Sequence, residues 1–180
     1  MVSQMTQNKP SLLSRLFGRG RDTHAEVRPL WHRVVALARE KAWYTEGGMA
    51  DTLEGRFDAI TLVLSLVLLR MERAEALKAK SALLTELFVT DMDGQLRESG
   101  LGDVVIGKHI GRLMSVLGGR LGAYRDALAQ EDNVALAEAV ARNAELVEGT
   151  DPAATADLVR RLANRMAALH DDDVLHGELV

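Results

Sequence analysis

The segment "FVTDMDGQL", Phe88–Leu96, decides between two folds for this chain. An apolar run followed by Asp-x-Asp-Gly is typical of the nucleophile loop of a magnesium-dependent phosphatase, in which Asp91 would attack phosphorus. That loop has to follow a buried parallel strand, because only then do both aspartates reach one magnesium ion and one phosphoryl group. The alternative is an amphipathic helix, which would indicate an all-α chain and exclude the phosphatase interpretation.

The residues around this segment favour the helix. Apolar residues recur at three- and four-residue spacing, and no strand–helix–strand pattern surrounds them. At 100° per residue, Asp91 and Asp93 point about 200° apart on a helix, so they cannot share a metal ion. We therefore reject the haloacid-dehalogenase-type phosphatase and predict a helix. Its apolar positions are Leu83, Leu84, Leu87, Phe88, Met92 and Leu96.

The two aspartates then have different surroundings. Asp93 falls on the polar face four residues before Arg97, a pair that contributes only about 0.3–0.5 kcal/mol. Asp91 falls within the apolar arc, where a carboxylate is costly unless it has a partner. We expect that partner in the turn Gly100–Lys108, either as backbone N–H groups or as the Lys108 amine. A role of Asp91 in binding a ligand or a partner protein is the alternative.

The rest of the chain has the same helical character. Its 180 residues, 47% hydrophobic and 27% charged, suit a single domain of about six helices. The central one contains "AITLVLSLVLL", Ala59–Leu69, which as a helix spans about 16 Å, half of a ~30 Å membrane core. Pro29 begins a first helix that runs to "YTEGG", and Asp151 N-caps the last one. We expect a flexible basic arm at 1–24, a helical domain at 25–170 and a polar tail at 171–180.

Charge and residue types exclude several classes of function. The net charge of −4 argues against a nucleic-acid binder, which would normally be basic. The absence of cysteine excludes disulfides, thiolate metal sites and cysteine catalysis. The five histidines are scattered, and no two of them are four residues apart. We therefore predict no metal site, no cofactor and no catalytic residue.

A second motif, "GDVVIGKH" at Gly102–His109, matches part of the phosphate-loop pattern. His109 replaces the Ser or Thr that binds magnesium, and a polar segment precedes the motif instead of a buried strand, so we reject nucleotide binding. The glycines continue as a line of small residues, and each glycine inside a helix costs about 1 kcal/mol relative to Ala. We expect this line to allow the close approach of a neighbouring helix or, alternatively, of a client helix. Its members are Gly107, Gly111, Ser115, Gly119 and Ala123.

Three segments together resemble the ubiquinol–cytochrome c chaperone family. They contain "GRFD" at 55–58, "DMD", "LRE" and "GLGD" between 91 and 103, and "GRLGAYRDAL" at 119–128. The order and spacing of these pieces are specific, although no single piece is, and the resemblance covers residues 28–128. The matching positions are Gly55, Arg56, Phe57, Asp58, Asp91, Asp93, Arg97, Gly100, Gly102, Asp103, Gly107 and Lys108.

The resemblance implies an all-α assembly chaperone without catalytic activity. The implied partner is newly made cytochrome b or another subunit of respiratory complex III, and a bacterial member would act in the cytoplasm, on the cytoplasmic face of the inner membrane. The basic amphipathic "SLLSRLFGRGR" at 11–21 would then contact the anionic membrane surface, with a disordered tail as the alternative. The alternative function is a generic all-α interaction module that is not linked to respiration.

A chaperone for a membrane protein needs an exposed apolar surface rimmed by charge. Two tryptophans, a tyrosine and a methionine on and after the first helix are the candidates for such a patch, and ordinary core residues are the alternative. Lys108 and Arg112 supply one turn of positive charge for the partner. The full predicted partner-binding set is Trp31, Trp43, Tyr44, Met49, Asp91, Arg97, Lys108 and Arg112.

Overall fold

A computed structural model describes residues 23–98 and 103–179, with side chains described at 23–94, 107–108 and 110–179. Within these ranges the chain forms six helices of ten residues or more, two short helices and no strand, which confirms the predicted all-α fold. An isolated antiparallel bridge joins Met49 to Leu146. The helices are α1 Arg28–Ala38, α2 Ala42–Thr45, α3 Leu53–Glu72, α4 Glu75–Glu98, α5 Asp103–Leu128, α6 Val134–Asn143, α7 Pro152–Ala167 and α8 Asp171–His176.

Helix α3 runs through the middle of the fold. Nearly every side chain from 59 to 69 is buried, and α1, α4, α5 and α7 pack around the helix. Two polar side chains inside this segment donate their hydroxyls to the preceding turn, Thr61 to the Phe57 carbonyl at 3.1 Å and Ser65 to the Thr61 carbonyl at 2.6 Å. A helix that is apolar on all sides belongs at the centre of a bundle. Across the described ranges, no helix is long and apolar enough to cross a membrane.

The two enzyme-like motifs both lie inside helices. Helix α4 is continuous from Glu75 to Glu98 and contains the whole "FVTDMDGQL" segment, so the predicted helix is confirmed. Helix α5 begins at Asp103, which places Gly107 and Lys108 within a helix and not in a loop after a strand. The rejection of a phosphatase loop and of a phosphate loop is therefore correct on structural grounds.

The C-terminal segment packs against α1, which corrects the predicted polar tail at 171–180. Val174 and Leu179 are fully buried, although the segment begins with three aspartates. Gly177 ends α8 with a left-handed φ of 77°, and a Cβ there would lie 3.0 Å from the Pro29 carbonyl oxygen. The two apolar side chains thus hold the end of the chain on the first helix.

The largely buried guanidinium of Arg70 joins α3 to the end of α7. Its Nε donates to the Met166 carbonyl at 3.0 Å, and its Nη2 donates to the Leu169 carbonyl at 2.7 Å and to the Asp171 carboxylate at 2.8 Å. The last carbonyls of a helix have no partner within the helix, and a guanidinium can satisfy several of them at once. Arg70 therefore determines how the chain turns from α7 into α8.

Two predicted helix ends have different outcomes. The first helix was expected to continue to "YTEGG", but α1 ends at Ala38, and the four-residue α2 follows after a short break. The predicted N-cap of α7 is confirmed, because the Asp151 carboxylate accepts the Ala153 N–H at 2.9 Å with Pro152 in the first turn.

Candidate functional site

The Asp58 carboxylate joins three segments of the chain. Arg120 of α5 donates from Nη2 to Asp58 Oδ1 at 2.5 Å and from Nη1 to the Thr61 hydroxyl. The backbone N–H of Glu145, after α6, donates to Asp58 Oδ2 at 2.9 Å. The side chains of Arg120 and Asp58 are only 9% and 14% exposed. This buried pair fixes the rotation of α5 about its axis, with Arg120 facing the core.

The "GRFD" segment is built for close packing at the start of α3. A Cβ on Gly55 would lie 2.0 Å from the Ala50 carbonyl oxygen, so only glycine fits there. Phe57 packs on Phe88 of α4 with the ring centroids 6.3 Å apart. Arg56 points outward to Asp51 at 2.6 Å, and this hydrogen bond lowers the pKa of the Asp51 carboxyl. An exposed ion pair of this kind stabilises the fold little.

Tyr124 lies beside the buried pair and is completely buried. Its hydroxyl and the Arg120 Nε have no hydrogen-bond partner among the described residues. Burial raises the pKa of the Tyr124 hydroxyl well above its usual range, and the negative charge of Asp58 raises it further while Arg120 opposes the shift. Tyr124 is therefore a neutral group, which suits a structural position and not an acid–base role.

The expected exposed aromatic patch is wrong. Trp31 and Trp43 are each 5% exposed, Met49 is 1% exposed, and Tyr44 is half-buried. Beyond the break after α1, the polar atoms of two aromatic side chains reach back to carbonyls in the last turn of that helix. Trp43 Nε1 donates to the Leu37 carbonyl at 2.8 Å and the Tyr44 hydroxyl donates to the Ala38 carbonyl at 3.0 Å. With these atoms satisfied, the rings turn inward and build the core.

The partner that the structure gives Asp91 is Trp31. The indole Nε1 donates to Asp91 Oδ2 at 3.2 Å, and the Trp31 ring packs edge-on against Phe88 with the centroids 6.0 Å apart. Asp91 itself is exposed, so the expectation of a buried acid is wrong, whereas the neighbouring Met92 is buried as predicted. The hydrogen bond ties α4 to α1.

Several predicted positions lie outside the described side chains. They lie at the end of α4, at the start of α5 and in the residues between these helices, where the partner of Asp91 was expected, and they include the cation expected to pair with Asp93. Among the residues with described side chains, no three His, Asp or Glu groups converge as metal ligands. The parts outside the description are the side chains of Arg97 and Asp103 and the residues Gly100 and Gly102.

Helix α5 presents an open face of glycines. A Cβ placed on each of them would have no described atom within 4 Å. The expected close approach of a neighbouring helix is therefore wrong for Gly107, Gly111 and Gly119 of the predicted line, whereas Ala123 of that line packs against the core. At 100° per residue, four of the glycines fall within an arc of about 60°. The buried side chains of the helix, such as Leu117 and Tyr124, lie on the other side. The five glycines are Gly107, Gly111, Gly118, Gly119 and Gly122.

The edges of this face carry charge and one flexible apolar side chain. Lys108 and Arg112 are exposed one turn apart, and neither forms an ion pair with a described residue. Met114 is 41% exposed next to the glycines. We call the surface formed by these three side chains and the five glycines the α5 face. Its chemistry suits the close approach of another backbone.

Comparison with known proteins identifies the family. The sequence profile of the ubiquinol–cytochrome c chaperones matches residues 45–180. The chain belongs to the ubiquinol–cytochrome c chaperone family. The crystal structure of the Cbp3 homologue from Brucella abortus is similar to it, with a TM-score of 0.74 and 31% sequence identity, covering 93% of this chain and 94% of that one. No curated protein sequence matches the chain.

The family match also revises the extent of the resemblance. It continues to residue 180, whereas the motifs predicted an end at 128, so α6, α7 and α8 belong to the ubiquinol–cytochrome c chaperone region. Arg120, which sequence reasoning left out of the site, lies within "GRLGAYRDAL" and contacts Asp58 of "GRFD". Two of the motif's separated pieces therefore meet in space. As a member of this family, the protein is an assembly chaperone for respiratory complex III.

Proposed function

We propose that this chaperone holds newly made cytochrome b, or another subunit of complex III, against the α5 face during assembly. Membership of the family supports the kind of client, and the open glycines of α5 support the place. Each glycine inside a helix costs about 1 kcal/mol relative to Ala, and within the described chain no contact compensates that cost. A contact with another protein is the function that explains it.

The chemistry of the α5 face fits a membrane helix. Helices of integral membrane proteins associate through small residues, because their backbones can then approach closely without a hydrophobic driving force. The exposed Met114 adds an adaptable apolar contact of the kind found on surfaces that bind several partners. Lys108 and Arg112 lie at the edge, where they favour acidic groups that flank an apolar client segment.

The protein would work beside the membrane. The basic amphipathic segment at 11–21 would bind the anionic inner membrane from the cytoplasmic side, so that the client is held where it inserts. The chaperone would perform no reaction of its own. Purified protein should hydrolyse no phosphate ester with magnesium, and Asp91→Asn should change nothing in that assay. Magnesium-dependent hydrolysis that disappears in Asp91→Asn would contradict this part of the proposal.

Peptides that correspond to the membrane helices of cytochrome b, held in detergent, test the α5 face. Gly111→Leu with Gly118→Leu fills the face with two large side chains, and we expect binding to weaken by about tenfold or more. Gly94→Leu is the matched control, since Gly94 lies in α4 and a Cβ there also meets nothing within 4 Å. Equal binding by the double variant and the control would rule out the α5 face as the client site.

A further inference from the structure

A second surface lies between the α1–α2 break and helix α7. It is a groove of about 480 Å³ whose walls come from the end of α1, from α2 and from one face of α7. The floor is apolar and consists of Leu37, Trp43, Leu158 and Leu162. Trp43 and Leu162 are buried, so the floor is part of the core that reaches the surface here. The groove shares no residue with the α5 face.

The two walls of the groove carry opposite charge. Arg161 and Arg165 lie one turn apart on α7, and Glu40 and Glu46 lie on the side of α1 and α2. All four side chains are exposed, and none forms an ion pair with another described residue. The groove therefore keeps two cations and two anions available to something that enters it.

The placement of the polar groups favours a protein segment over a small molecule. Sites for small molecules place a few polar groups inside the cavity, where they orient the ligand. Here the one polar atom of the floor, Trp43 Nε1, is already bonded to the Leu37 carbonyl at 2.8 Å. The free polar groups all lie on the rim. An apolar centre with a charged rim is the arrangement of protein–protein interfaces.

We propose that this groove docks a segment of a partner protein that inserts one apolar side chain between the two walls. An acidic residue of the segment faces Arg161 and Arg165, and a basic residue faces Glu40 and Glu46. This charge pattern sets the direction in which the segment lies, because the reversed segment would bring like charges together. The groove is a docking site in addition to the client surface, and it does not depend on where the client binds.

Photocrosslinking of the full chain in its own cells tests this site. A photoreactive benzoyl-phenylalanine replaces Asn164, an exposed residue on the rim. We expect one discrete crosslinked protein, whose crosslinked peptide contains an apolar residue with an acidic and a basic residue within about one helical turn of it. Arg161→Glu with Arg165→Glu should reduce that product by about tenfold.

A matched pair of substitutions controls for the change in charge. Arg73→Glu with Arg142→Glu also reverses two exposed arginines near helix C-termini, and both lie outside the groove. The crosslink should survive in this control. Three results would overturn the proposal: no discrete product, a product that persists when the groove arginines are reversed, or crosslinking to a lipid instead of a protein. The result is independent of cytochrome b binding, which the α5 variants measure.

Discussion

Arg120 of α5 and Asp58 of α3 form an ion pair that lies 62 residues apart in sequence and almost entirely out of solvent. The pair itself is weak support for stability, because the desolvation of both charges offsets their attraction. Its consequence is geometric, since it turns the buried side of α5 towards α3 and leaves the glycines on the outside. The open α5 face depends on this orientation.

Removing one partner of this pair should destabilise the protein strongly. Arg120→Met leaves the Asp58 carboxylate without its cation, and we expect a loss of about 3–5 kcal/mol in the free energy of unfolding. Denaturant titration followed by circular dichroism measures it. Arg125→Met, which removes the exposed pair with Glu72, should cost less than about 1 kcal/mol. Similar losses in the two variants would show that the buried pair has no special weight.

Two glycines should respond in opposite directions to the same substitution. Gly55→Ala places a methyl group 2.0 Å from the Ala50 carbonyl oxygen, so we expect a loss of about 1–3 kcal/mol. Gly111→Ala places it in open space on a helix, where it should add up to about 1 kcal/mol. Thermal melts of both variants give the comparison. A destabilised Gly111→Ala would mean that another part of the chain covers the α5 face.

Tyr124 should make the fold sensitive to high pH. Its pKa is raised in the folded protein, so the neutral form is favoured there, while the unfolded chain releases the proton from about pH 10 upwards. Stability is therefore fully present below pH 10 and declines as the pH rises beyond it. Tyr124→Phe should remove this contribution to the decline and change stability little at pH 8, because the hydroxyl has no described partner. Denaturation midpoints of the wild type and Tyr124→Phe, measured at pH 8 and above pH 10, test this prediction. If Tyr124→Phe loses as much stability above pH 10 as the wild type does, other groups cause the loss.

Features of the fold that depend on residues close together in the sequence could be predicted, and features that depend on contacts between distant residues could not. The helical α4 and the Asp151 N-cap follow from local periodicity and capping, and both were predicted correctly. The burial of Trp31 and Trp43 was not, because it depends on contacts between elements. Trp31 Nε1 donates to Asp91 of α4, and Trp43 Nε1 donates back to the Leu37 carbonyl across the break after α1. A scan of residue types cannot locate such a break.

Longer-range features were less predictable still. The segment at 171–180 begins with three aspartates, and the sequence does not show that it packs against α1 with Val174 and Leu179 buried. The sequence alone could not predict Arg120 as the partner of Asp58, because nothing in a single sequence links two residues so far apart. Both residues nevertheless lie in the motif pieces on which the family resemblance rests, Asp58 in "GRFD" and Arg120 in "GRLGAYRDAL".

The N-terminal segment should confer binding to anionic membranes. Each cation near such a surface contributes about 1 kcal/mol, so Arg15, Arg19 and Arg21 together should strengthen binding by about a hundredfold. Sedimentation with phosphatidylglycerol vesicles compares the full chain with one that begins at Thr23. Phosphatidylcholine vesicles and high salt should abolish the difference. Equal sedimentation of both chains with anionic vesicles would remove the membrane contact from the proposed function.

The level of assembled complex III in a strain that lacks this protein tests the central claim most directly. We predict that the assembled complex is lost, that the wild-type chain and Gly94→Leu restore it, and that Gly111→Leu with Gly118→Leu does not. The double variant should be at least as thermally stable as the wild type, because leucine favours a helix over glycine. A normal level of complex III without the protein, or its full recovery with the double variant, would contradict a chaperone that acts through the α5 face.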